Sequence, residues 1–210
     1  MKTIPTIRIK NAWLLRAEVS VHLNELWGDG IPLESEKFYK EKTEIYKNAW
    51  QPYEQKILLG MSEIFGLTFR QSEIDVYIAP WFAAFSDPMI IGTKYDPNRF
   101  VEVLSHELLH RLITDNTTYH DGDILLKIWK DLFGDQHSKN TLIHIPVHAG
   151  LKAIFLDVLN EPQRLENDIS LCAKWDHYRN AWEYVQENDY KQIIQKLKES
   201  YLKVSIPRPM

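Results

Sequence analysis

His106-Glu107-Leu108-Leu109-His110 combines residue types and a spacing that suit metal-assisted hydrolysis. On an α-helix, residues four apart lie about 40° apart around the axis, so both imidazoles can reach one ion. Glu107 follows His106 by about 100° of rotation and so sits beside the metal rather than on it. From there it can take a proton from a metal-bound water.

The surroundings support a helix at that point. Asp96-Pro97 offers a helix start, with Asp96 as N-cap and Pro97 in the first turn, and Phe100 to Asp115 contains no Gly or Pro. Phe100, Val101, Val103, Leu104, Leu108, Leu109, Leu112 and Ile113 are spread almost around the axis, which predicts a helix buried on most sides. Two histidines and a glutamate in such a helix need partners, and a metal would satisfy all three. The competing reading is a solvated helix face on which these residues merely coincide.

The motif resembles the signature of the zincin metallopeptidases. That resemblance implies zinc on His106 and His110, Glu107 as general base, and a small β-sheet directly before the motif helix. It also implies an edge strand that pairs with an extended peptide substrate. The upstream residues agree with it. Glu73-Ile74-Asp75-Val76-Tyr77-Ile78-Ala79 alternates like a strand. Met89-Ile90-Ile91-Gly92-Thr93 reads as a second strand after the turn Ser86-Asp87-Pro88. The resemblance covers about residues 73 to 115. Phe82-Ala83-Ala84-Phe85, just before Met89, is the expected substrate-binding edge.

A catalytic zinc normally has three protein ligands and a water. The metzincin extension, a Gly and a third His shortly after the motif, is absent, because Arg111-Leu112-Ile113-Thr114-Asp115-Asn116 follows. His120 and His137 fall in polar, turn-like stretches and read as surface residues. Pro146 marks a helix start, with Val147 to Asn160 as the run, so His148 is the expected third ligand and His144 is expected to precede the helix. His148 could equally be a satisfied core histidine. Glu161 is the alternative, since the thermolysin-like zincins take a downstream Glu. The acid order here is reversed, however, with Asp157 before it. His148 and Glu161 would lie roughly 140° apart on one continuous helix, so only one can face the metal.

Zincins also place a Tyr or His near the oxygen that gains charge in the transition state, where donors are valuable. Tyr178 is the expected donor, with His177 beside it, although packing or surface roles compete for both.

The elements around the motif point to an α+β fold: a mainly helical zincin-like domain with a small sheet before the motif helix. An extended start (Thr6 to Ile9) leads to a helix over Ala12 to Leu26, broken at Gly28 to Pro32. A long helix opens at Ser35, Pro52 restarts it, and Gly66 ends it. Helices over Ile124 to Phe133 and from about Trp175 and Tyr190 complete the chain. Residues 1–70 are expected as a helical subdomain packed on a catalytic domain of residues 71–210, together one compact unit. The tail Ile206 to Met210 is expected to be poorly ordered.

With 44% hydrophobic and 26% charged residues the chain falls in the globular range. A net charge of −4 gives no basic surface for nucleic acid. Cys172 is the single cysteine, so no intrachain disulfide can form, and the N-terminus lacks a signal-peptide core. A cytoplasmic protein with no membrane partner is the expectation. Two readings stand beside the peptidase: a zinc hydrolase of a non-peptide amide or ester, and a non-catalytic metal-binding interaction protein.

Overall fold

The computed structural model describes residues 4–12, 34–79, 83–116 and 122–204. The expected helix over Ala12 to Leu26, its break at Gly28 to Pro32, Phe82, His120 and the C-terminal tail therefore lie outside the described residues, save Ala12 itself. The described part is α+β and mainly helical. Its one sheet has four strands in the order β1 (Thr6–Asn11), β2 (Glu73–Ala79), β4 (Met89–Gly92) and β3 (Phe85–Ser86). The helices are α1 (Glu36–Trp50), α2 (Glu54–Phe65), α3 (Pro97–Asp115), α4 (Gly122–Phe133), α5 (Lys139–Ala153), α6 (Pro162–Cys172), α7 (Asp176–Glu187) and α8 (Tyr190–Val204).

Two compact units divide the chain. The first comprises Pro5–Gln55 and Gln71–Leu108, the second Met1–Ile4, Lys56–Arg70 and Leu109–Met210. The division falls inside α3, between Leu108 and Leu109, so one continuous helix carries residues of both.

In the first unit, alternation along the strands builds the sheet. Ile74, Val76 and Ile78 turn one face of β2 inward, and Ile7 and Ile9 pair beside Ile74 and Val76 in parallel register. On the other face Asp75 takes charge-assisted bonds from Arg8 Nε (2.6 Å) and Lys10 Nζ (2.7 Å). β4 runs parallel to β2 and is buried along its length, whereas β3 pairs antiparallel with β4. Helix α1 starts at Ser35, whose hydroxyl accepts from the Phe38 N–H. It carries Tyr46 onto the start of α3. The Tyr46 ring stacks on Phe100 at 4.0 Å, and its hydroxyl donates to the Tyr95 carbonyl (2.7 Å). Asp96 caps α3, its Oδ1 accepting from the N–H groups of Asn98 and Arg99 at 2.9 Å.

In the second unit, α5 is the central helix and packs on α4, α7 and α8. Its start differs from expectation. Ser138 caps it, accepting from the Thr141 N–H (3.1 Å), and the helix runs from Lys139 through Pro146. The proline removes the bond that its N–H would have made to the Leu142 carbonyl, a local loss that the surrounding helix absorbs. Beyond Ala153 the chain widens into a π-helical turn, Ile154–Val158, and Asn160 at φ 57° ends the run. Pro162 then opens α6, a helix not expected from the sequence. The run Lys139–Val158 is apolar and long enough to cross a bilayer, but 72% of its apolar window is buried inside the protein, as in a core helix.

Gly150 sets how closely α5 approaches its neighbours. A Cβ there would lie 2.8 Å from Phe65 Cε2 and 2.9 Å from Leu109 Cδ2, inside ordinary contact distance. Leu109 is adjacent to His110, so this approach also sets the height of α5 beside the last turns of α3. Gly150→Val is expected to destabilise the protein by about 1–3 kcal/mol through overpacking, read from urea denaturation. An unchanged midpoint would show that the gap between these side chains is wider than described.

Candidate metal centre

α3 has no exposed apolar stripe to anchor it; it is buried nearly all round. Its polar residues are therefore buried with it. Glu102, Ser105, His106 and Glu107 are all enclosed, and His110 is half-buried. His106 and His110 are one helical turn apart on this single helix, as their spacing predicted.

His144 on α5 completes a group of three. The ligating atoms of His106, His110 and His144 lie within 4.8 Å of one another, so this buried triad could hold a metal ion. The rings of His110 and His144 meet edge to face, with centroids 5.0 Å apart. A second bond decides which His144 atom is available. Its Nδ1 lies 2.6 Å from the Asn140 carbonyl oxygen, which can only accept. Nδ1 therefore carries the proton, and Nε2 keeps a lone pair for a metal.

Protonation states fit that use. Burial, helped by the nearby His144, pushes His110 down to about 3. Burial likewise brings His144 down to about 4, although the Asn140 carbonyl pulls the other way and His177 adds to the drop. Both rings are thus neutral at physiological pH, which is the state that binds a metal. Burial pushes the Glu107 carboxyl up to about 8. A divalent cation beside it would act in the opposite direction and favour the carboxylate.

The remaining sequence candidates divide clearly. Tyr178, on α7, is brought to the triad: its ring lies 4.4 Å from that of His144, and His177 lies 5.6 Å from the same ring. His148, the expected third ligand, is not in the group of three. It is one turn further along α5, fully buried, and stacks on Trp182 with centroids 4.3 Å apart. Trp182 is held in turn by Asp168, whose Oδ2 accepts from its indole N–H at 3.1 Å. Glu161 also stands apart, as it pairs with Arg164 at the start of α6. Asp157 accepts from the Tyr190 hydroxyl (3.0 Å) and pairs with Lys191. His137 packs against Tyr184.

His144 was not expected as a ligand, because that requires a helix running through Pro146. The signal for that helix is Ser138, a cap placed eight residues before the proline. No protein-family model, curated protein or solved structure matches this chain.

The two histidines of α5 can be told apart by metal titration against a chromophoric chelator. His144→Ala is expected to weaken zinc binding by more than about 100-fold, the upper end of what even an outer partner of a ligand contributes. His148→Asn should leave affinity within a few-fold and lower stability instead. The reverse pattern would restore His148 as the ligand.

Proposed function

We propose that this chain is a zinc-dependent hydrolase of peptide bonds, with His106, His110 and His144 as the metal ligands. The observation that carries this reading is the convergence of three imidazoles with Glu107 next to His106 in the same buried helix. Three nitrogen ligands are a donor set for catalytic zinc, which leaves a position open to water or substrate. When bound, zinc would polarise the scissile carbonyl and make a water molecule acidic enough to attack near neutral pH.

The chain's own residues supply the rest. Glu107 takes the proton of the attacking water and passes it to the leaving amine, so one carboxyl acts first as base and then as acid. Its burial suits both halves, because a carboxyl removed from water holds its proton more readily than an exposed one. Tyr178, whose ring lies against that of His144, is the donor to the oxygen that becomes negative in this reading. β3 is terminal among the described strands, and Phe85 on it is 50% exposed. An extended peptide could add to such an edge by main-chain hydrogen bonds, which favours a peptide over a small amide or ester.

A purely structural zinc would be closed by a fourth protein ligand and would have no use for Glu107. Glu107→Gln separates the two cases. Turnover of an unfolded protein substrate such as casein should fall by about 10²–10⁴-fold while zinc content stays at the wild-type level. Loss of zinc would make Glu107 a ligand. If the wild type spares casein but cleaves a small amide or ester, the non-peptide hydrolase reading replaces this one.

A further inference from the structure

Trp175 stands where helix chemistry would place a small polar residue. It is the N-cap of α7, with extended backbone (φ −112°, ψ 122°) and no side-chain bond to the first turn. Ser, Thr, Asp and Asn are favoured there because their oxygens accept from the first N–H groups, which an indole N–H cannot do. The residue is also 44% exposed, although tryptophan is highly buried on average. Leu171, four residues earlier in α6, is 46% exposed. Folding gains nothing from leaving such apolar surface in water.

The corner between α6 and α7 nevertheless holds Trp175 firmly. Its N–H donates to the Cys172 carbonyl (3.1 Å), and its own carbonyl accepts from the Arg179 N–H (2.9 Å). The Arg179 guanidinium donates to the Ala173 carbonyl (3.1 Å). A large ring fixed in advance loses little freedom when a ligand settles on it. Its relation to the candidate metal centre is equally defined. The Trp175 ring meets that of Tyr178 at 67° with centroids 5.8 Å apart, and Tyr178 meets His144 at 4.4 Å. Two ring contacts thus join an exposed indole to a member of the triad. An extended peptide advances about 3.3–3.6 Å per residue, which puts the indole within about three residues of a bond cleaved there. Charge at the corner selects further. Lys174 Nζ lies 4.2 Å from the Trp175 ring centroid, so a second cation at this ring would be repelled, whereas a neutral side chain would not.

We infer that Trp175 is a specificity-determining residue: it receives a large apolar side chain, aromatic above all, from an extended peptide substrate close to the scissile bond. Continuity with the triad through Tyr178 singles out the substrate, rather than a second copy of this chain, as the occupant. Aromatic side chains gain most, since rings meet edge to face or offset beyond the area they bury. This inference rests on the reading of the triad as a peptidase centre.

The test uses the full-length, zinc-loaded protein and casein. Cut sites made by the wild type are mapped by mass spectrometry and are expected to carry a large apolar residue within about three positions of the bond. A peptide spanning one such site is then made with Phe, Ala or Lys at that position. Wild-type kcat/KM is expected to be about 10–100-fold higher for Phe than for Ala, chiefly through KM, with Lys the poorest. Trp175→Ala should bring the Phe-to-Ala ratio to about one, and Trp175→Phe should restore most of it. Zinc content and melting temperature check that the variants are folded. A wild type indifferent to the three residues overturns the inference without any variant. A ratio that survives Trp175→Ala overturns it too and leaves the peptidase reading standing. If that variant keeps the ratio but loses self-association in sedimentation, the ring joins copies of this chain instead, which contradicts the inference. A wild type that holds zinc but cuts no casein overturns both readings.

Discussion

The interior of a protein tolerates a polar group only when that group has a partner, and α3 places several of them in the interior at once. Its apolar residues are distributed around the whole helix, so no orientation could expose His106 and Glu107 while keeping the leucines dry. Everything else about the site follows from that constraint. The His110 and His144 rings are neutral because charged ones would be poorly solvated there, and a neutral ring has a lone pair to give. Glu107, by the same desolvation, holds its proton well above the usual carboxylate range. A divalent cation would reconcile these groups, using the lone pairs and compensating the carboxylate.

The chemistry of the site depends on which elements bring the third nitrogen. α3 contributes two by its own periodicity, which needs no tertiary information. The third requires α5 to come close, which the absence of a side chain at Gly150 permits. It also requires α5 to begin early enough for His144 to be helical. The next turn of α5 is built for a different purpose. Asp168 holds Trp182, Trp182 stacks on His148, and the Tyr178 ring packs against both histidines. His148 thus sits among aromatic faces, and His144 belongs to the triad.

Much of this was legible in the residues, for local reasons. Asp96-Pro97 marks the start of α3, and period-2 alternation marks β2. Ser35 caps α1, and Gly66, at φ 68°, stops α2. What was not legible is tertiary. Pro146 looks like a boundary because proline starts helices far more often than it sits inside them. Only the cap at Ser138 and the burial of α5 outweigh that preference. The expected choice of His148 followed from placing the boundary at Pro146, since it left His144 outside the helix. Helix α6 was not expected either, although Pro162 stands in its first turn, where proline is favoured.

The claim on which the account depends is that His106, His110 and His144 share one metal ion. Diffraction from zinc-soaked or zinc-grown crystals, recorded on either side of the zinc absorption edge, addresses it directly. The account predicts a single strong anomalous peak within about 2.0–2.1 Å of one ring nitrogen from each of the three, with Nε2 as the His144 donor. A peak ligated by His148 or Glu161 in place of His144, or no peak between the two histidines of α3, would contradict it.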